Sequence, residues 1–256
     1  MVDANPMRLP EINALTLRDI FAAIRAGWRD FRRAPALGIA VSALFSVIGV
    51  VITVQLFVWG DSYWVLPIAA GFPLVGPFAA VGLYDVSRRL EQGAPVDWAS
   101  VLSAINTEKS RQIPWIAFVT LFFFLVWVYM AHLVFALTFG LAPLTNVMSS
   151  PDFLISQNGL VMLVFGTIIG GALSLALFSV TVVSIPMLMD REIDFVSAMI
   201  VSVRAVQANP GPMLFWGACI AGLTLIAILP LFLGMFVIFP VLGHASWHLY
   251  RTAVAP

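Results

Sequence analysis

The run MLFWGACIAGLTLIAILPLFLGMFVIFPVLGHASWHL, residues 213–249, contains no acidic side chain, lysine or arginine. A membrane-crossing helix needs about 20 apolar residues, and this run is nearly twice as long. Pro230 and Gly234 fall near its middle, and these residue types mark tight reversals. The run therefore reads as two spans, about 213–230 and 231–249. That division fixes the parity of the whole chain.

Working back from it, four further apolar blocks cover about 37–59, 64–84, 115–139 and 160–189, giving six spans. The chain is 61% hydrophobic and 10% charged, against roughly a quarter charged in soluble domains. A soluble globular enzyme is excluded. The expected fold is all-α: a polytopic membrane helix bundle of six transmembrane helices in one domain, residues 16–251. Net charge is zero, so no global field recruits nucleic acid. The single cysteine, Cys219, sits in an apolar run and reads as a small buried hydrophobe. The segment MVDANPMRLPEINA has no apolar signal core, so residues 1–15 are expected to be a flexible tail without a cleaved targeting peptide.

Charge orients the bundle. With six spans, all thirteen lysines and arginines fall on one side. The opposite loops, GDSY at 60–63 and GLAPLTNVMSSPDF at 140–153, carry Asp61 and Asp152 but no cation. The positive-inside rule then predicts an inner (plasma) membrane protein with both termini cytoplasmic. Five spans would put Arg251 outside.

Three short segments recur on that side. TLRDIFAAIRAGWRDFRRAP has Leu17, Ile20, Phe21, Ile24, Trp28 and Phe31 at helical spacing, with Arg18, Arg25, Arg29 and Arg32 opposite. Thr16 and Asp19 mark its start and Pro35 its end. A basic amphipathic helix over about 16–34 is expected to lie in the headgroup layer. DWASVLSAINTEKSRQIP, opened by Asp97, carries Trp98, Val101, Leu102 and Ile105. DFVSAMIVSVRAVQANP, opened by Asp194, carries Phe195, Met199 and Val203. These suggest three copies of an interfacial helix followed by a transmembrane hairpin.

A second internal match overlays spans two and six without a gap. Pro67 meets Pro230, Gly71 meets Gly234, Pro77 meets Pro240, Tyr84 meets Trp247, Asp85 meets His248 and Arg88 meets Arg251. Helices broken at corresponding positions point to a transporter site; kinks that wrap a compact bundle explain the same pattern more simply.

The three histidines are candidate ligands. His244 and His248 are four apart and share a helix face. His132 lies about 27 Å along its span and His244 about 10 Å from the cytoplasmic end, so the two cannot clamp one haem. A metal site on His244 and His248 would need a third ligand, and Asp85 and Asp190 are nearest in depth. The simpler reading makes both histidines hydrogen-bonded anchors, with Trp247 and Tyr250 as interface aromatics. No cofactor and no metal are expected. No catalytic triad, Walker loop or dinucleotide fingerprint is present. Gln55 and His132 are the few strongly polar groups inside spans, which weakens a transport reading. Gly166, Gly170 and Ser174, with Gly171 beside them, form a small-residue face for close packing on another span or another subunit.

The passages GLYDVSRRLEQG (82–93) and GHASWHLYR (243–251) together resemble the end-of-span motifs of a bacterial integral-membrane family catalogued as domain of unknown function 2189. The resemblance runs from Thr16 to Arg251, with Asp85 where the family has Glu. It implies no activity. Family members are often labelled as related to cytochrome c oxidase subunit I. That catalytic core requires about six histidine ligands on a larger bundle, and only His132, His244 and His248 exist here. At most the label implies an accessory or assembly role.

The expected function is therefore non-enzymatic: a scaffold, accessory subunit or assembly factor of a membrane complex, respiratory or otherwise, with the lipid bilayer and other membrane subunits as partners. The alternative is a small-solute transporter or channel on spans two and six. Its polar cavity would open near Tyr84, Asp85, Arg88, His244, His248 and Arg251.

Overall fold

The computed structural model describes residues 9–54, 65–108, 111–140 and 155–255, with side chains given for all of these except 65–78. The helices are α1 (Leu17–Arg33), α2 (Pro35–Val54), α3 (Val65–Gln92), α4 (Trp98–Glu108), α5 (Ile113–Phe139), α6 (Gln157–Thr181), α7 (Ser184–Asp190), α8 (Phe195–Ala208), α9 (Pro210–Ile228) and α10 (Met235–Ala253). The described chain is all-α, with one isolated β-bridge between Ile12 and Val254. Four stretches are long and apolar enough to cross a membrane: α2, α5, α6 with α7, and α9. The loops at 60–63 and 141–153, and Gln55, lie outside the described residues.

Local chemistry sets the helix ends. Prolines open α2 and α9, where a missing N–H costs nothing. Asp194 caps α8 by accepting from the Ser197 N–H at 2.9 Å, and Ser156 caps α6 through Gly159 at 3.1 Å. At α1, Asp19 Oδ2 accepts from both the Thr16 N–H (2.8 Å) and the Thr16 hydroxyl (2.7 Å).

The long C-terminal run does reverse, between Ile228 and Met235. Leu231 and Phe232 adopt left-handed backbone at φ 52° and 66°, a conformation that costs side-chain-bearing residues about 1–2 kcal/mol each. Packing offsets that cost. A Cβ on Gly49 would lie 2.4 Å from the Phe232 ring, so the ring seats directly on the α2 backbone. A Cβ on Gly234 would stand 2.6 Å from the Ala227 Cα, so glycine alone lets the two arms close.

Two sequence expectations change at the other spans. The apolar block at 160–189 is not one helix: α6 ends at Thr181 and α7 starts at Ser184. The ring of Pro186 would clash with the Val182 carbonyl in a continuous helix. The freed Val183 N–H donates instead to Ser202 Oγ of α8, at 3.1 Å. The overlay of spans two and six also fails at its first pair. Pro67 and Gly71 lie inside α3, whereas Pro230 and Gly234 lie in the reversal before α10. Only the stretch from Phe72 and Met235 onward is helical in both.

Among the described residues, the buried core lies at the end of the bundle that carries the charges. There Ile20, Tyr84, Met187, Leu188, Trp216, Trp247, Leu249 and Tyr250 form one buried core. Towards the opposite end, Leu137, Phe165, Ile168 and Leu229 stand exposed, as helices facing lipid do.

The short helices join that core by small residues as well as large ones. α1 buries Ile20, Ala23, Gly27, Asp30 and Phe31, mostly against α10. Leu17, Phe21 and Trp28, on the apolar face of the amphipathic pattern, are 48%, 50% and 45% exposed. α8 likewise buries Ala198, Ser202 and Ala205, while Phe195, Met199 and Val203 are only half-buried. Without a water-driven hydrophobic force between helices, close backbone approach decides the interface, and small residues allow it.

Residues 9–15, expected to be flexible, are instead strapped down. The Asn13 N–H donates to the Ala253 carbonyl at 2.9 Å and the Ala255 N–H to the Glu11 carbonyl at 3.0 Å. Asn209 holds the strap from α8: its Oδ1 accepts from the Leu15 N–H at 2.7 Å, and its Nδ2 donates to the Asn13 carbonyl at 3.0 Å. Asn209→Ala leaves the buried Leu15 N–H without an acceptor, which costs about 1–3 kcal/mol. Thermal unfolding in detergent should show that loss; an unchanged midpoint would mean the strap is not anchored there.

Candidate functional site

α3 and α10 pack in parallel, because their contacts climb together. A Cβ on Gly243 would lie 2.5 Å from Leu83 Cδ1. The Tyr84 and Trp247 rings meet at 6.4 Å, and Trp247 Nε1 donates to Glu91 Oε2 at 3.1 Å. This pairing gathers Tyr84, Asp85, Arg88, His244, His248 and Arg251 at one end of the bundle, though not into one shared cavity.

An outer ring is built of ion pairs. Asp85 is fully buried and accepts from Arg88 Nη2 and Arg89 Nε, both at 2.6 Å. Arg88 also donates to the Met189 carbonyl at 3.1 Å. Arg251 donates to Asp190 Oδ2 at 3.0 Å and to Glu91 Oε1 at 3.3 Å. The Tyr250 hydroxyl donates to Asp190 at 2.7 Å, and Arg191 reaches both Tyr250 and the Ala255 carbonyl. Tyr84 is buried, with Ser246 as its hydroxyl's partner.

Inside that ring runs a second chain of polar groups. His248 Nε2 donates to Asp30 Oδ2 at 2.6 Å, which sets the tautomer: the proton is on Nε2. The Ser87 hydroxyl also donates to Asp30, so His244 Nδ1–H donates to Ser87 Oγ, 2.9 Å away. His244 is fully buried, and its Nε2 makes no well-aligned hydrogen bond, with only the Leu83 backbone alongside. Three helices are thus stitched by one carboxylate. Burial pushes the Asp30 carboxyl up, but the hydrogen bond and charge of His248 outweigh it and hold the group below the usual carboxylate range.

Asp30 is the residue the sequence reading missed, and it corrects that reading. The carboxylate on His248 comes from α1, not from Asp85 or Asp190, which are committed to arginines and Tyr250. A signal existed: Asp30 continues the buried spacing of Ala23 and Gly27 on a helix otherwise rich in arginine. Among the described residues no three His, Cys, Asp or Glu side chains converge as a metal site. His132 is exposed on α5 and donates from Nδ1 to the Val128 carbonyl one turn back, at 2.7 Å. The small-residue face divides: Gly170 lies against Trp127 of α5, while Gly166 and Gly171 have open space beside them.

A helical hairpin region carrying one half of this ring, including GLYDVSRRLEQG, spans α3 to α7. Residues 65–190 match the family model described as predicted integral membrane protein (DUF2189). The likeness to the DUF2189 family is confined to this region. It covers about half of the chain and leaves out GHASWHLYR, so the match is narrower than the resemblance from Thr16 to Arg251. No curated protein and no solved structure matches the chain. Within the matched region lie Tyr84, Asp85 and Arg88; His244, His248 and Arg251 come from α10 beyond it. The protein is an integral membrane protein, and the matched family carries no assigned activity.

Proposed function

We propose that the chain is a six-span protein of a bacterial inner membrane acting as a non-enzymatic scaffold, accessory subunit or assembly factor. α3 and α10 complete the set of spans. Both termini, α1, α4 and α8 lie on the cytoplasmic side. One observation carries this reading: the acids packed around α10 at the charged end are committed to internal partners. Asp30, Asp85, Glu91 and Asp190 each hold an internal partner at 3.3 Å or less. Such a network rigidifies a frame instead of presenting reactive groups.

The other half of the molecule supports partner binding. An apolar groove of about 530 Å³ lies between α5 and α6, with Trp127, Ala131, Gly166 and Gly171 among its walls. Gentle solubilisation from the native membrane should yield a stoichiometric complex with another membrane protein. Gly166→Leu, whose Cβ would meet nothing within 4 Å in this chain, should release the partner without unfolding the scaffold. Recovery of the unmodified protein alone, monodisperse and partner-free, would overturn the reading.

The buried His248–Asp30–Ser87–His244 chain favours the second reading, a small-solute transporter or channel, because polar groups inside a bundle mark transport pathways. Solute uptake into proteoliposomes that is lost on Asp85→Ala or His248→Ala, in protein that still folds, would establish it.

A further inference from the structure

A groove of about 520 Å³ opens beside the buried chain, between α1 and α10 and the end of α3. Arg25 and Arg29 line it from α1, His248 and Arg251 from α10, and Glu91 from α3. The last three are committed: His248 to Asp30, Arg251 to Glu91 and Asp190, and Glu91 to Arg251 and Trp247. Arg25 and Arg29 are different. They stand four apart on one helix face, both are exposed, and neither makes a hydrogen bond or ion pair with a described residue. The groove therefore offers two free guanidiniums, and its one lining carboxylate is already neutralised.

What lies next to these arginines narrows the occupant. At about 100° per residue, Arg25 projects roughly 40° from Phe21 and 60° from Trp28 around the α1 axis. Leu17, Phe21 and Trp28 form the exposed apolar stripe, and the opposite side of α1 is packed on α10. An apolar stripe bordered by arginines matches a boundary where acyl chains give way to phosphates. A soluble anion would have no use for that stripe, whereas a lipid fills both halves.

We propose that this groove binds the phosphate of an anionic phospholipid headgroup, gripped by Arg25 and Arg29, with the acyl chains lying along Leu17, Phe21 and Trp28. Guanidinium forks suit two-point contact with phosphate oxygens. The bound lipid would tie α1 to the bilayer while its other face stays on α10. The site does not depend on whether the protein is a scaffold or a carrier.

Titration of the detergent-purified full chain with phosphatidylglycerol in mixed micelles tests this, read by native mass spectrometry and thermal shift. Phosphatidylcholine and inorganic phosphate serve as parallel probes. Phosphatidylglycerol should bind and raise the unfolding midpoint, and phosphatidylcholine should not. The double variant Arg25→Gln/Arg29→Gln should lose at least about tenfold in affinity. Arg18→Gln/Arg32→Gln removes the same charge from the same helix outside the groove, and should stay within about twofold. All four arginines are exposed, so both variants should elute as the unmodified protein does. Equal losses in the two double variants would reduce the effect to diffuse attraction and overturn the site. Inorganic phosphate competing as well as the lipid, or phosphatidylcholine binding equally, would overturn the lipid assignment.

Discussion

Gly27→Ala should lower stability by about 2–3 kcal/mol, at the upper end of the usual cost of overpacking a filled interface. The added Cβ would stand 2.6 Å from the Val241 carbonyl oxygen and 2.7 Å from the Ala245 N, which are backbone atoms of α10 and cannot rotate away. α1 would have to lift as a unit, and Asp30, one turn further along, would leave His248 with it. Gly222→Ala is the matched control. A Cβ there meets nothing within 4 Å, and alanine favours the interior of α9 by up to about 1 kcal/mol. Thermal unfolding in detergent, with size-exclusion profiles, should separate the two. Similar midpoints for both variants would show that α1 is not seated on α10 as described.

Breaking the α1–α10 ion pair should have an effect as large. His248→Ala leaves the Asp30 carboxylate, which is 3% exposed, with only Ser87 to solvate it. Removing one partner of a buried pair costs about 3–5 kcal/mol, more than the pair contributes over an apolar substitute. The double variant Asp30→Leu/His248→Leu should therefore be more stable than His248→Ala alone. A double variant no better than the single would place the loss in packing. The pH dependence follows from the depressed Asp30 carboxyl. A group whose folded value lies below its unfolded one, about 3.9, contributes fully above the unfolded value. The contribution fades as pH falls from there through the folded value. Stability of the unmodified protein should drop below about pH 4 more steeply than that of the double variant.

How far the sequence foretold this molecule can be argued residue by residue. The apolar helices, the caps at Asp97 and Asp194, and the reversal at Pro230–Gly234 were legible because each is a local signal. The break before Ser184 was also local, one proline at position 186, but it lies within an apolar block whose hydropathy hides it. The packed faces of α1 and α8 were not legible for a physical reason. Periodicity finds the largest apolar side chains, and in a membrane protein those can face lipid while alanine, glycine and serine face the neighbouring helix. The Asp30–His248 contact spans nearly the whole chain, and nothing near either residue encodes the other. The end-of-span motifs drew attention to Tyr84, Asp85, Arg88, His244, His248 and Arg251. They did not foretell that these residues would divide into an outer ring and an inner chain.

The uneven packing of the bundle has a mechanical meaning. Helices clamped at one base and loosely held at the other behave like the ribs of a fan: a change in bilayer thickness is met by splaying the free tips, not by sliding whole rods. α5 and α6, which carry Leu137, Phe165 and Ile168 exposed, would swing most. Anything seated between those tips would feel the membrane stretch or thin, while the hub of ion pairs kept its shape.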